Sequence, residues 1–164
     1  MTFDLILIAC ATAVIASGLI AGVFLAFSDF VMKSLCAASP ASGIEAMQLI
    51  NRKVYGSVFM FLLIAMLVIS VALAIYASVY MTSPATAWII SGCALYAIGV
   101  FIVTMVFNVP MNQRLDAMVP ENTETASYWA VYGSSWTLWN HVRTIASAGS
   151  VVSFLIGFLL LSGG

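Results

Sequence analysis

The stretch "VYGSVFMFLLIAMLVISVALAIYASVYMTSPATAWIISGCALYAIGVFIVTMVFNVPMNQ", residues 54–113, decides the fold because it contains no Asp, Glu, Lys or Arg. It holds two long apolar runs, at 54–81 and 85–107, joined by the short Pro-containing segment "TSPAT" (82–86). Each run can cross the hydrocarbon layer of a bilayer, which takes about 20 residues of helix. The stretch therefore predicts two membrane-spanning helices joined by a tight turn.

The rest of the chain extends this pattern to four spans. Hydrophobic residues make up 63% of the sequence and charged residues only 7%, which is outside the range of soluble domains. Further apolar runs at 5–27 and 145–162 supply two more candidate spans. We predict an all-α fold, an antiparallel bundle of four transmembrane helices in a single membrane domain (1–164), with spans at about 5–34, 43–81, 85–115 and 127–162. The formal net charge of −1 gives no basis for nucleic-acid binding.

The charged residues are confined to one end of the predicted bundle. Apart from Asp4, all of them lie in the segments 29–53 and 114–143. An even number of spans puts the first and third connections on the same side of the membrane, where they form a polar cap. This side carries all the basic residues: Lys33, Arg52, Lys53, Arg114 and Arg143. The positive-inside rule then predicts a plasma-membrane protein with a cytoplasmic cap and both termini outside.

The first connection contains a helix start. In "SPASGIEAMQLINRKVYG" (39–56), Ser39 can cap a helix and Pro40 suits its first turn. Apolar residues then recur at helical spacing. We therefore expect this helix to continue directly into the second span, and the predicted span at 43–81 includes both.

Polar side chains recur near the cap end of every predicted helix. On the first span, Asp29 lies one turn beyond a small-residue stripe formed by Gly18, Gly22 and Ala26, which can bring helices close together. The fourth span carries Trp136, Asn140 and Arg143 on one face, and Thr137, His141 and Thr144 on a second face about 100° away. We predict that one cavity is lined by Asp29, Asn51, Asn108, Asn112, His141 and Arg143.

Each of these features also has a purely structural interpretation. The glycines can serve packing alone, the asparagines around Pro110 can satisfy a helix kink, and interfacial tryptophans are common in membrane proteins. One histidine and three dispersed cysteines, Cys10, Cys36 and Cys93, do not supply a three-ligand zinc site or a bis-His haem site. We therefore predict no metal and no cofactor, which leaves chemistry that needs a single base.

Four segments follow one another along the chain: "AFSDFVM" (26–32), "GIEAMQLIN" (43–51), "NVPMN" (108–112) and "WTLWNHVRTIAS" (136–147). They resemble the anthrone-oxygenase-like family of small four-span membrane proteins, and the resemblance covers nearly the whole chain. It implies a four-helix membrane protein, some of whose relatives oxidise anthrones to anthraquinones without a metal or a flavin. It also supports the polar residues named above as a family-like set, without assigning a role to any of them.

The leading hypothesis is oxygenation of an anthrone-like or other electron-rich aromatic by O2, without a cofactor. His141 is the candidate base, Asp29 or Asn140 orients it, and Arg143 holds the developing oxyanion together with amides. The residues expected to bind the hydrophobic aromatic substrate are Asn51, Asn108, Asn112, Tyr132, Trp136, Trp139 and Asn140.

A second hypothesis comes from a different class of protein. The same aromatic and amide side chains suit a non-catalytic membrane module that binds a quinone-like or lipid ligand, or a subunit of a membrane assembly. Assembly as a homo-oligomer is compatible with either hypothesis, and the sequence leaves both open.

Overall fold

The computed structural model describes residues 2–163 and, from Asp4 onward, their side chains. The helices are α1 (Thr2–Ala26), α2 (Met32–Ala37), α3 (Pro40–Val54), α4 (Val58–Tyr80), α5 (Ala85–Ala94), α6 (Val109–Asp116) and α7 (Thr123–Ser162). Segments of π-helix, Phe27–Val31, Leu95–Ile102 and Thr104–Asn108, continue α1 into α2 and α5 into α6. The predicted all-α fold is confirmed for the described residues.

Four continuous helical stretches are long and apolar enough to cross a membrane. We call them span 1 (Asp4–Ala37), span 2 (Val58–Tyr80), span 3 (Ala85–Asp116) and span 4 (Thr123–Ser162). Span 1 packs on spans 2 and 4, and span 3 packs on the same two, so the four helices close into a bundle. The chain is a multi-pass membrane protein, as predicted. Met1 and Gly164, the ends of the predicted domain 1–164, lie outside the described residues.

The spans differ in length, and the difference creates the cap. Span 2 has 23 residues, and at 1.5 Å per residue it is about 35 Å long, close to the roughly 30 Å of a hydrocarbon core. Spans 1, 3 and 4 have 34, 32 and 40 residues, so each extends well beyond that thickness. Their extra turns lie at the charged end, where α3 packs against α2, α6 and α7. Together these elements form the predicted polar cap.

The helix predicted at 43–81 is interrupted. It ends at Val54, and a new helix begins at Val58, where the Ser57 hydroxyl accepts a hydrogen bond from the Met60 amide at 3.2 Å. A Gly-Ser pair favours a break and a new N-cap, and here it outweighs the apolar periodicity that runs through it. The predicted start is confirmed, because the Ser39 hydroxyl accepts from the Ser42 amide and Pro40 is the first helical residue.

Two apolar clusters fill the bundle, one above the other. The membrane cluster includes Ile20, Phe24, Leu63, Met66, Tyr96 and Phe154, and the cap cluster consists of Met32, Ile44, Met47, Leu115, Trp129, Tyr132 and Trp136. Buried polar residues, Asn51, Asn108, Asn140 and Arg143, belong to neither cluster. They lie together with Phe24 and Leu63 of the membrane cluster and Met47 and Trp136 of the cap cluster around one cavity, where the two cores meet.

The small-residue stripe of span 1 does not face a neighbouring helix. Gly18 and Gly22 are exposed, with nothing within 4 Å of an added Cβ. The buried face carries other small and apolar side chains: Cys10, Ala13, Ser17, Ile20, Phe24 and Ser28. Span 1 has small residues on both faces, so the pattern alone could not decide which one packs. The close helix approach occurs instead between spans 3 and 4, at glycines that include Gly92 and Gly99.

Gly99→Ala is expected to lower the free energy of unfolding by about 1–3 kcal/mol, as overpacking of a tight contact does. A Cβ at Gly99 would lie 2.5 Å from the Ala146 Cβ, so the two helices must move apart. Gly18→Ala is the matched control, because it adds the same methyl group to an open helix surface. Thermal unfolding in detergent measures both, and equal melting temperatures for the two variants would contradict the packing described.

Candidate functional site

A cavity lies where the cap meets the membrane-embedded bundle. Its volume is about 170 Å³, and it is lined by residues of all four spans and of α3. A single water needs roughly 10–15 Å³ on the same scale, so the space suits a molecule of many atoms. The polar residues in its wall are Asn51, Tyr55, Thr104, Asn108, Asn112, Trp136, Asn140 and Arg143.

The apolar wall of the cavity comes from both clusters. Phe24 and Leu63 belong to the membrane cluster, whereas Met47 and Trp136 belong to the cap cluster. The Phe24 and Phe59 rings meet edge to face with their centroids 5.6 Å apart. A mostly apolar wall with a few polar groups is typical of sites for small apolar ligands.

Arg143 is the charged residue of this cavity. Its side chain is buried, with 5% relative exposure. Its Nη2 donates to Asn140 Oδ1 at 2.7 Å and its Nη1 to Thr104 Oγ1 at 3.3 Å. The guanidinium carbon lies 4.4 Å from the centroid of the Phe24 ring and 5.1 Å from that of Trp136. The cation is therefore held in place by neutral groups and aromatic rings.

Arg143 has no carboxylate partner among the side chains that the structure describes. The ion pairs seen there join Lys33 to Asp29 at 3.7 Å and Arg52 to Asp116 at 2.6 Å. A buried charge that lacks a counter-ion is costly, since burial removes the hydration of the ion. The cavity beside Arg143 is consequently a favourable place for a ligand oxygen that carries negative charge.

Asn140 fixes the position of Arg143. Its amide nitrogen donates to the Phe24 carbonyl and to the Ser28 hydroxyl, both at 2.7 Å, while its oxygen accepts from Arg143. These bonds join span 1 to span 4 next to the π-helical segment Phe27–Val31, and π-helical turns are frequent at functional sites. With its amide bonded at both ends, the Asn140 side chain cannot turn without losing hydrogen bonds.

Asn112 organises the opposite wall. Its side-chain oxygen accepts hydrogen bonds from the Tyr132 hydroxyl and the Trp136 indole nitrogen, each at 2.8 Å. Asn108 donates to the Trp136 carbonyl at 3.3 Å. Both asparagines flank Pro110 on span 3, and their bonds hold span 4, so they do more than satisfy a helix kink.

Some buried polar atoms of the cavity residues lack a partner within residues 2–163. They include Arg143 Nε, which is a donor, and Asn108 Oδ1, which is an acceptor. Leaving such a group without a hydrogen bond costs about 1–3 kcal/mol. A bound ligand with oxygen atoms and a hydroxyl group could satisfy them.

The structure brings together six of the ten predicted site residues. Those that line the cavity are Asn51, Asn108, Asn112, Trp136, Asn140 and Arg143. Asp29 and His141 do not, so the prediction of one cavity that includes them is wrong. Asp29 is exposed and pairs with Lys33 on its own helix. His141 is exposed in a separate surface groove, together with Met32 and Cys36.

The two remaining aromatic residues also lie outside the lining. Tyr132 is fully buried behind the cavity, where its ring stacks between Trp129 and Trp136 and its hydroxyl bonds to Asn112. Trp139 stacks on Phe107 of span 3, with centroids 3.5 Å apart and planes 7° apart. Tyr132 thus supports the wall, and Trp139 joins two spans.

Sequence reasoning missed Thr104 and the aromatic wall. Thr104 lies four residues before Asn108 and therefore on the same helix face, a spacing that could have identified it. Phe24 and Phe59 gave no signal, because apolar aromatics occur throughout the spans. Within the described part of the chain, no three His, Cys, Asp or Glu side chains cluster in a way that could hold a metal ion. What the cavity offers is a fixed cation and amides that can hold and polarise a ligand oxygen.

Comparison with known proteins identifies the family of this chain. No curated protein and no solved structure matches the chain significantly. Residues 52–153 match the anthrone oxygenase family. This region includes most of the polar cavity wall, from the end of α3 through Asn108, Asn112 and Asn140 to Arg143. The chain is therefore a member of the anthrone oxygenase family.

Proposed function

We propose that the protein oxygenates an anthrone-like or other electron-rich aromatic with O2, without a cofactor, in the cavity between cap and membrane. For an anthrone, the CH2 group and O2 give a carbonyl group and one water. The family membership supports this class of reaction. The apolar wall and its few polar groups support an aromatic ligand that carries oxygen atoms.

Arg143 is the observation that carries the proposal. Loss of a proton from the anthrone CH2 gives a delocalised anion whose charge rests largely on the oxygen of the former carbonyl group. A buried guanidinium without a counter-ion stabilises that anion, and a preorganised donor contributes roughly 3 kcal/mol to such a step. The anion passes one electron to O2, and the resulting radicals combine to a peroxide anion. The peroxide anion then loses its remaining C–H proton as its O–O bond breaks, which leaves the quinone and a hydroxide, and the hydroxide takes up the proton released in the first step to give one water.

The amides complete the binding of the oxyanion. Arg143 holds a buried donor that is not used within the described chain, and Asn108 holds an unused acceptor. Donors stabilise an anionic or carbonyl oxygen, and an acceptor suits a ring hydroxyl group. Trp136 offers its ring to the ligand, because Asn112 and Asn108 hold it against the cavity.

The position of His141 argues against its role as the base. A general base must lie within hydrogen-bonding reach of the proton that it removes. His141 is exposed in another groove, and the cavity wall contains no carboxylate or imidazole among the described residues. In our proposal the cation makes the bound ligand acidic enough to release its proton to water.

His141→Ala is accordingly expected to change the oxidation rate by less than about threefold, in contrast to the 10² to 10⁴-fold loss typical of a missing general base. The initial rate of O2 uptake with a simple anthrone measures this effect. If the oxidation rate of a well-folded His141→Ala protein fell about a hundredfold, His141 would be the general base after all.

The function is tested with purified protein in lipid vesicles, a simple anthrone and an oxygen electrode. We expect equal amounts of O2 consumed and anthraquinone formed, at a rate that a chelator does not change. Binding of anthraquinone without any O2 uptake would instead favour the non-catalytic, quinone-binding module.

We also propose that the protein lies in the plasma membrane with its cap in the cytoplasm, since all basic residues are at that end. Cys36 is exposed near the cap, whereas Cys10 and Cys93 are buried. A membrane-impermeant maleimide should therefore label Cys36 in inverted vesicles and not in intact cells. Labelling of Cys36 in intact cells would show instead that the cap lies outside the cell.

A further inference from the structure

Two exposed residues in the cavity wall mark where the cavity opens to the surface. Most of the residues that line it are buried or half-buried, and the exposed ones are Val23 of span 1 and Tyr55, which directly follows α3. Val23 is 38% exposed and Tyr55 is 58% exposed. Spans 1 and 2 are neighbours at this level, since Phe24 and Phe59 are in ring contact. The opening therefore lies between these two spans.

The surroundings of this opening are apolar. Val58, the first residue of span 2, is 75% exposed, and Leu19, one turn from Val23 on span 1, is 57% exposed. Large apolar side chains this exposed on a membrane-spanning helix contact lipid. Span 2 matches the hydrocarbon thickness and begins at Val58, so the opening lies at the edge of the hydrocarbon layer.

On the cap side, α3 closes the cavity. Met47 and Asn51 of this helix are buried in the cavity wall. Gln48 holds α3 in place, because its amide nitrogen donates to the carbonyls of Leu115 and Met118 at 2.8 and 2.9 Å. The ion pair between Arg52 and Asp116 adds a second link from α3 to α6. A ligand from the aqueous side would have to break these contacts.

We infer that the cavity receives its ligand sideways from the bilayer, through the opening between spans 1 and 2 at Val23 and Tyr55. The identity of the ligand, a neutral polycyclic aromatic dissolved in the membrane, rests on the proposed function. The neutral form partitions into hydrocarbon, and inside the cavity it meets the buried positive charge of Arg143. Entry and ionisation are thereby separated in space.

The position of the opening can be tested without any reaction. In a Cys36→Ser background, Val23→Cys and Tyr55→Cys are labelled with a bimane fluorophore, because the remaining native cysteines are buried. Brominated phosphatidylcholine should quench both labels, and aqueous iodide should quench them weakly. Strong quenching by iodide with none by the brominated lipid would show an opening to water and overturn the inference.

Entry itself is tested by blocking the opening. Modification of Val23→Cys or Tyr55→Cys with a bulky maleimide should slow anthrone oxidation in vesicles by roughly tenfold or more, as loss of access lowers the association rate. Leu25→Cys is the matched control, since it is exposed on span 1 about 200° around the helix from Val23 and does not line the cavity. Equal rates for the modified opening variants and the modified control would overturn the inference.

A failure of the proposed function looks different. If even the Leu25→Cys protein oxidises no anthrone, the same comparison is made on the rate at which anthraquinone quenches tryptophan emission. Slower quenching in the blocked variants alone still supports lateral entry, and equal quenching rates overturn it.

Discussion

Arg143→Met is expected to lower kcat/KM for anthrone oxidation by about 10² to 10³-fold, the loss typical of removing one preorganised oxyanion donor. Methionine fills much of the same volume between Phe24 and Trp136 but carries no charge and no donor. The variant therefore removes the cation without introducing another polar group into the cavity. O2 uptake at several anthrone concentrations measures the effect.

The same substitution should leave thermal stability unchanged or raise it. Removing a buried charge that has no counter-ion relieves a desolvation penalty, and replacement of buried charges by apolar residues is often neutral or stabilising. A residue that lowers stability while it serves activity is characteristic of a functional site. A large loss of stability would mean that Arg143 is mainly structural.

Two further arginine variants serve as comparisons for Arg143→Met. Arg114→Met removes a guanidinium that lies over the Tyr128 ring in the cap, 4.2 Å from its centroid, and it should keep full activity. Arg143→Lys keeps the charge but loses the planar fork that bonds to Asn140 and Thr104, so we expect an intermediate rate. If Arg143→Met is as active as Arg114→Met, the oxyanion role is excluded.

The sequence predicted the elements of the fold well because membrane spans are governed by length and polarity. The charge-free stretch 54–113 required two helices and a turn, and the confinement of charge to two connections required a cap at one end. The break at Gly56 and Ser57 was missed. In a strongly apolar region, a single local capping interaction has no influence on the hydropathy pattern.

The candidate site was predicted at the correct end of the bundle but not with the correct set of residues. Trp136, Asn140 and Arg143 follow the i, i+4, i+7 pattern and share the inner face of span 4. His141 is two residues from Arg143, which is about 200° around a helix, so the two side chains cannot easily enter one cavity. Span 4 thus has two polar faces, and only the one that carries Arg143 lines the cavity.

On span 1, the sequence likewise does not show which helix face turns inward, and Asp29 is an example. It lies next to Ser28, which is buried and bonded to Asn140, yet it is exposed itself. Small residues occur on both faces of this span, so periodicity could not determine which face turns inward. That choice depends on the partner side chains of span 4, and no local pattern contains them.

Asn140→Leu is expected to lower kcat by roughly 10²-fold, because displacement of a catalytic group by about 1 Å can have that effect. The leucine removes the acceptor that holds Arg143 Nη2 and the donor that reaches Phe24 and Ser28. The free energy of unfolding should fall by about 1–3 kcal/mol, since buried partners lose their hydrogen bonds. Steady-state rates of O2 uptake measure the effect on kcat, and thermal unfolding measures the effect on stability.

A stability loss alone does not distinguish a positioning residue from a structural one, so the decisive measurement is the double variant Asn140→Leu with Arg143→Met. If Asn140 acts by holding the guanidinium, its removal has little left to affect once Arg143 is gone, and the double variant should be about as active as Arg143→Met alone. In Asn140→Leu alone, the buried Arg143 guanidinium loses its acceptor. The double variant has no guanidinium at this place, so it should be more stable than Asn140→Leu alone. Independent roles would instead multiply the two rate losses, and that outcome would assign Asn140 to the packing of span 1 against span 4 and leave Arg143 to bind the oxyanion without it.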